Sequence, residues 1–407
     1  MEKVEKNNLS TKEQLREIEE LIEDLETNEA KAELEEPTDK ESYKNKYCVF
    51  NNIDSFKQNI EASDTLEPTF TGFESIDNAL FSGGIPKGLL TLGAITSLGK
   101  TTFALQVADQ IAQTKQTDIL YFSLEMSRSE LIAKSISRLT FINATKQRTR
   151  KESSTTLDII QGKKHKYFSD TKKQLIEQSL NDYKTFAKRL FIIESVATEG
   201  IGTKEIEEAI QNHIKFTGNK PVVIIDYLQI MKTPNPRWNE KQMIDCNIVK
   251  LKRLSAEYKL LVIAISSFNR SSNTSESDLT SFKESGAIEY TSDILIGLDF
   301  YALKHLEEQE AFKELASDKE KNNRKIKQII NEAKQENPRH ISLTILKNRN
   351  GKTGASADFY YYPAFNCFME ENDNGEKLSE LLELSRRNLE AETKEEEENE
   401  EINDLPF

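Results

Sequence analysis

From about Thr69 onward the chain alternates short apolar runs with longer amphipathic stretches. The runs fall at 89–94, 119–122, 190–193, 222–225, 261–265, 294–298 and 343–346. Consecutive apolar positions mark strands buried on both faces, and strands separated by helices pair in parallel. The pattern predicts an α/β core over residues 69–370, with a mainly parallel sheet covered by helices. Ligands of such sheets sit beyond the carboxyl ends of the strands, and nearly every polar motif follows directly on an apolar run. The charged segment 306–338 predicts a surface insertion between two late strands. Ahead of the core, Ser10 and Glu13 form a capping box. Leu15, Ile18, Ile22 and Leu25, with Leu21 beside them, predict a short amphipathic helix ending before Pro37. Residues 1–45 thus read as an acidic helical extension, 46–68 as a linker, and 371–407 as a disordered acidic tail.

Charge changes the picture only once it is divided. The 407 residues carry a net −14. Residues 1–40 hold 14 acidic and 6 basic side chains, and residues 388–407 hold 9 and 1. Each end is therefore −8, and the intervening 347 residues are +2. The acidity belongs to the ends and does not exclude nucleic acid as a partner of the core. The stretch from Phe141 to Gln174 is basic, which suits either an anionic partner or a solvated helical face. Cys48, Cys246 and Cys367 have no paired spacing, which argues against a zinc site or disulfide framework and suits a reducing cytoplasm. No apolar stretch approaches the roughly 20 residues that span a bilayer, and no signal-like segment opens the chain, so a cytoplasmic protein without membrane contact is expected.

The first chemical motif is the loop after the run at 89–94. Ala94, Thr96, Ser97, Leu98, Gly99, Lys100, Thr101 and Thr102 lie between a strand and a helical pattern. Backbone N–H groups of such a loop cradle phosphates at a helix N-terminus. Lys100 would reach the outer phosphates and the Thr101 hydroxyl would ligate Mg²⁺. The pattern usually opens with Gly; here Ala94 stands there, with Gly93 adjoining.

Glu125 follows the second run, where phosphoanhydride hydrolysis needs a group that orients or deprotonates water. Asp226 follows four aliphatics and is placed to hold Mg²⁺ with Thr101. Ser266, Ser267, Asn269 and Arg270 close the run at 261–265. Lys347 and Arg349, one residue apart on an extended segment, point to one side and could serve a neighbouring subunit's nucleotide. The bland alternatives are a turn, structural acids at strand ends and an exposed basic strand end.

Taken in order, Thr71-Gly72-Phe73, Ser97 to Thr102, Phe122 to Met126, Asp226 to Gln229, Lys283 to Glu289 and Lys347 to Gly351 resemble the ATPase domain of DnaB-type replicative DNA helicases. The resemblance covers about Thr69 to Phe368 and is nearest to versions from phages and mobile elements. It implies a RecA-like P-loop core, ATP and Mg²⁺ as cofactors, and a hexameric ring on single-stranded or forked DNA. It implies that Lys100 and Thr101 bind phosphate and metal, Glu125 activates water, and Asp226 holds the metal. Lys347 and Arg349 would act from the next subunit, and Lys283, Glu284 and Gly286 would face DNA in the channel. Residues 53–60 would be the helix that docks on a neighbour. Three departures stand out: Ser267 replaces a Gln, Lys283 replaces an Arg, and the helical amino-terminal domain of the family is missing.

The end of the sequence carries a separate resemblance. An acidic run precedes Asp404, Leu405, Pro406 and Phe407, similar to the carboxyl tip of bacterial single-stranded-DNA-binding proteins. That implies docking on a host replication enzyme, beside a primase or loader; an incidental acidic tail is the alternative. Three functions are therefore weighed. They are a 5′-to-3′ ring helicase, a DNA-stimulated remodeller or loader that does not unwind, and an interaction protein using nucleotide only as a switch.

Overall fold

The computed structural model describes residues 39–403 apart from 62–67, 82, 115–116, 196–199, 234, 236, 269–278, 283–285, 305–318, 372 and 374. The predicted helix before Pro37 lies outside the described residues, as do Asn269, Arg270, Lys283, Glu284 and the tip 404–407. The chain divides into two compact units at Pro68–Thr69.

The first unit shows α1 (Lys40–Tyr47) and α2 (Val49–Glu61). Asp39 caps α1 by accepting from the backbone N–H of Glu41 and Ser42. Val49, Phe50, Ile53 and Phe56 repeat at helical spacing on α2 and are exposed. They form an apolar stripe without a partner among the described residues.

The second unit is built on one sheet. Its strands are β1 (Gly88–Ala94), β2 (Ile119–Ser123), β3 (Leu190–Glu194), β4 (Val222–Asp226), β5 (Leu261–Ser267), β6 (Ile294–Phe300), β7 (Arg339–Asn348), β8 (Ser356–Tyr362) and β9 (Cys367–Glu370). They lie in the order β3-β2-β4-β5-β1-β6-β7-β8-β9. From β3 to β6 neighbours run parallel, whereas β7, β8 and β9 are antiparallel additions. Every predicted apolar run is a strand, and β2, β4 and β6 are buried throughout. This is the mainly parallel α/β sheet read from the pattern.

The flanking helices used below are α3 (Glu74–Phe81), α4 (Lys100–Gln113), α5 (Arg128–Lys146), α6 (Asp170–Ala187), α7 (Thr203–Thr217), α8 (Glu240–Glu257), α9 (Gly286–Thr291), α10 (Lys319–Gln335) and α11 (Glu376–Asn403). The insertion between β6 and β7 contains α10, which buries Ile326, Ile330 and Ala333 along one face. Helix α4 leaves the loop after β1 and is fixed from behind. Its Phe103 packs edge-on against Phe359 and Phe368. Its Gln106 exchanges two 2.8 Å hydrogen bonds with the backbone of Phe368. The antiparallel strands thus brace the helix whose N-terminus carries the candidate site.

The tail departs from expectation. Residues 376–403 form α11 rather than a disordered segment. Leu378, Leu382 and Ser385 are buried, and Arg386 Nε donates to Asp182 on α6 at 2.7 Å. Glu383 pairs with Lys146 on α5. In the basic stretch 141–174, Lys172 pairs with Asp158 at 2.9 Å and Lys173 with Asp170 at 3.2 Å. Lys163, Lys164 and Lys166 stay exposed.

Candidate nucleotide site

The loop Ile95–Gly99 joins β1 to α4. Ala94 ends the strand fully buried and is not among the positive-φ residues, so its methyl costs no backbone strain where Gly is usual. The left-handed positions are Ser97 (φ 68°) and Gly99 (φ 94°). A Cβ on Gly99 would also come within 3.0 Å of Phe368 and Tyr361, so space and backbone both call for glycine there. Lys100 turns back over the loop, donating to the carbonyls of Ala94 (3.0 Å) and Ile95 (3.1 Å). Burial pulls its pKa down to about 8, against the opposing pull of Asp226 and Glu125.

Thr101, Asp226 and Glu125 are brought to the same end of the sheet. Thr101 Oγ1 donates to Asp226 Oδ1 at 3.1 Å, and Tyr121 Oη donates to Asp226 Oδ2 at 2.9 Å. Burial pushes the Asp226 carboxyl up to about 6, although these hydrogen bonds and Lys100 favour its charged form. Glu125 stands exposed in the bend between β2 and α5. Its backbone neighbour Leu124 donates to the Asp226 carbonyl at 2.8 Å, tying the ends of β2 and β4 together.

These groups fit a magnesium nucleotide. A hydroxyl and a carboxylate are hard oxygen donors, and Mg²⁺ characteristically takes one or two carboxylates with substrate phosphates and water. The loop N–H groups and Lys100 would hold the phosphates. Thr101 and Asp226 would hold the metal, and Glu125 would hold the attacking water.

Lys347 and Arg349 are placed elsewhere. Because β7 is antiparallel, its carboxyl end lies at the amino-terminal edge of the parallel strands. Asp293 N donates to Leu89 O and Arg349 N donates to Asp293 O. Five strand residues separate Leu89 from Ala94, roughly 17 Å at the usual strand rise. The expectation that the motifs gather at strand carboxyl ends therefore fails for the parallel sheet at this pair. They sit at the opposite edge from their own chain's loop. Lys347 Nζ caps the end of α9, donating to the carbonyls of Glu289 (2.6 Å), Tyr290 (3.2 Å) and Ser292 (2.7 Å). Arg349 reaches Asp293 Oδ1 at 3.2 Å with its side chain 66% exposed. Gly286 begins α9, which places the candidate DNA-facing segment beside this edge.

Four neighbours escaped the sequence reading. Tyr121 holds Asp226. Arg339, at the start of β7, donates to Ser97 O at 3.2 Å. Lys252 on α8 bonds Asp293. Gln229 Nε2 reaches Ser266 Oγ (3.0 Å) and Ser267 O (3.2 Å), while its Oε1 accepts from Ser267 N (3.3 Å). Gln229 thereby clamps the end of β5, where the shorter Ser267 stands.

A family model described as the DnaB-like helicase C terminal domain matches residues 69–370. The chain belongs to that family. Similar to this DnaB-like domain is the replicative DNA helicase DnaB of Buchnera aphidicola subsp. Baizongia pistaciae. The two are 28% identical over 239 residues, covering 56% of this chain and 45% of that protein. The DnaB of Haemophilus influenzae is 28% identical over 260 residues, covering 61% and 51%. The chain therefore spans about half the length of these curated relatives. Among solved structures, the ATPase domain of a phage DnaB-like helicase shares the fold with a TM-score of 0.57 and 20% identity, covering 79% of this chain and 98% of that one. A DnaB-like replicative helicase described with its primase interactions gives 0.58 and 17%, covering 88% and 76%. Both neighbours support the RecA-like fold of the core. Among the described residues no helix is long and apolar enough to cross a membrane.

Proposed function

We propose that this chain is an ATP-dependent, replicative-type DNA helicase that moves along single-stranded DNA as a hexameric ring of identical subunits. The observation that carries the reading is the separation of its chemistry. The phosphate loop, Thr101, Asp226 and Glu125 lie at one edge of the sheet, and Lys347 and Arg349 lie at the other. One chain cannot bring both sets to one nucleotide. Head-to-tail copies can, and head-to-tail contacts close into rings.

In that arrangement Lys100 and the loop N–H groups hold the phosphates at the helix N-terminus. Asp226 and Thr101 fix the metal, with Tyr121 orienting the carboxylate. Bound Mg²⁺–ATP supplies the phosphoanhydride to be hydrolysed. Glu125 orients water, and the neighbour's Arg349 neutralises charge that builds on the phosphate oxygens. Lys283, Glu284 and Gly286 are assigned to backbone contacts with DNA, which are sequence-tolerant and salt-sensitive. The apolar stripe of α2 is assigned to a neighbouring copy. The tip Asp404–Phe407 is assigned to a host replication enzyme, with a primase or loader as a further partner. Phage, plasmid or mobile-element DNA is the proposed substrate.

Strand displacement on a forked duplex tests the reading. The wild type should unwind with ATP, and Lys100→Ala and Arg349→Ala should not. A folded wild type that hydrolyses ATP without unwinding would favour the second reading, a DNA-stimulated remodeller or loader. Ser267 favours that alternative, because its short side chain reaches less far from β5 than the Gln it replaces.

A further inference from the structure

The amino-terminal edge of the sheet contains a carboxylate that holds the Arg349 side chain in its own subunit. Asp293 is 12% exposed and accepts from three donors. Lys252 Nζ lies 2.8 Å from Oδ1 and 2.6 Å from Oδ2. Leu89 N–H donates to Oδ2 at 2.8 Å. Arg349 Nη1 contacts only Oδ1, at 3.2 Å. Burial pushes the Asp293 carboxyl up, but these partners outweigh it and hold it below the usual carboxylate value. The fit is close: a Cβ on Gly88 would come within 2.6 Å of Asp293 Oδ2.

The three cations of this edge are held unequally. Lys347 is fixed by three backbone carbonyls at a helix C-terminus, where positive charge is favoured. Lys252 is short-range to both oxygens and 28% exposed. Arg349 has one long contact and is 66% exposed. A charge-assisted hydrogen bond is usually shorter than 3 Å, so Arg349 is the weakest partner of Asp293.

Departure of a cation from a mostly buried carboxylate is costly when it leaves the charge bare. Here it does not, because Lys252 and Leu89 N–H remain. Resting on the trans role of Arg349 proposed above, we infer that Lys252 is a positioning residue that frees Arg349 from Asp293 for the neighbouring subunit's nucleotide. Lys252 neutralises the carboxylate permanently, so Arg349 exchanges one modest contact for phosphate oxygens. Without Lys252, Arg349 becomes the sole side-chain cation on Asp293 among the described residues and stays in its own subunit.

The test is steady-state ATP turnover of the full chain on oligo-dT, with assembly followed by mass photometry. Lys252→Met should lower kcat about tenfold or more while leaving KM for ATP within about twofold, a population shift away from the extended Arg349. Lys252→Arg should stay near the wild type. The double variant Lys252→Met/Asp293→Asn removes the anion that retains Arg349 and should recover most of the lost kcat. A purely structural Lys252 would make that double variant no better than the single one. Wild-type turnover in Lys252→Met, or no recovery in the double variant, overturns the inference. Where Lys252→Met fails to fold, Lys252→Gln, which keeps a donor but not the charge, is used in both the single and the double variant. Arg349→Ala is measured alongside. Full turnover in Arg349→Ala would overturn the trans role itself, a different failure from an active Lys252→Met.

Discussion

The two edges of the sheet carry opposite solutions to placing charge. At the carboxyl edge every group is gripped by its own chain: Lys100 by two loop carbonyls, and Asp226 by Thr101 and Tyr121. At the amino edge Arg349 is mostly exposed and loosely held. The gripped edge receives a ligand, and the loose edge offers a side chain to something outside the chain. A preorganised pocket and a mobile donor are both needed for phosphoryl transfer, and the sheet separates them by the length of a strand.

The comparison breaks most visibly in mixed assemblies. Lys100→Ala and Arg349→Ala should each lower ATP turnover by roughly 10³-fold, the scale of a lost transition-state cation. Mixed in equal parts with subunit exchange, they should regain about a quarter of wild-type turnover, since random head-to-tail pairing joins intact loops to intact arginines at that frequency. No recovery after demonstrated exchange would mean that both residues serve one chain's nucleotide.

A smaller effect is expected behind Arg349. Gly88 has φ 146° and touches Asp293, so Gly88→Val should cost about 1–3 kcal/mol in denaturant unfolding. An unchanged midpoint would show that the Asp293 seat is not tightly packed. At the carboxyl edge, Tyr121→Phe removes one hydrogen bond to Asp226 and should cost about 1 kcal/mol. The Mg²⁺ concentration for half-maximal turnover should rise, and an unaltered requirement would relieve Tyr121 of its orienting role.

The smallest effect is a pH dependence. Folding lowers the Lys100 pKa from 10.5 to about 8 through burial. Between these values the unfolded chain binds the additional proton, so folded stability rises with pH across the window. In EDTA and without nucleotide, Lys100→Met should be more stable than the wild type at neutral pH. That advantage should shrink above pH 8. A constant difference across the window would mean that Lys100 is solvated in the free protein.

Much of this was legible because it is local. Apolar runs gave every strand, and a glycine-lysine-threonine turn after a strand gave the loop. An aspartate after four aliphatics gave the metal residue. What remained hidden depends on strand order. Lys252, Asp293 and Arg349 meet only because β6 lies between β1 and an antiparallel β7, and nothing in residue spacing announces that reversal. Tyr121 and Asp226 meet because β2 and β4 are neighbours, with Ser123 paired to Asp226. The tail was misread for another reason. The acidic residues dominate its composition, yet Leu378 and Leu382 already stood one helical turn apart, and Arg386 continued the same face toward Asp182.

The reversal of β7 has a consequence for counting. On the trans reading, a lone chain owns two half-sites and no whole one. An open row of subunits has one fewer complete site than it has members, and only a closed ring has as many sites as chains. Turnover per subunit is then a readout of closure. It should decline on dilution as rings open, even though no residue has changed.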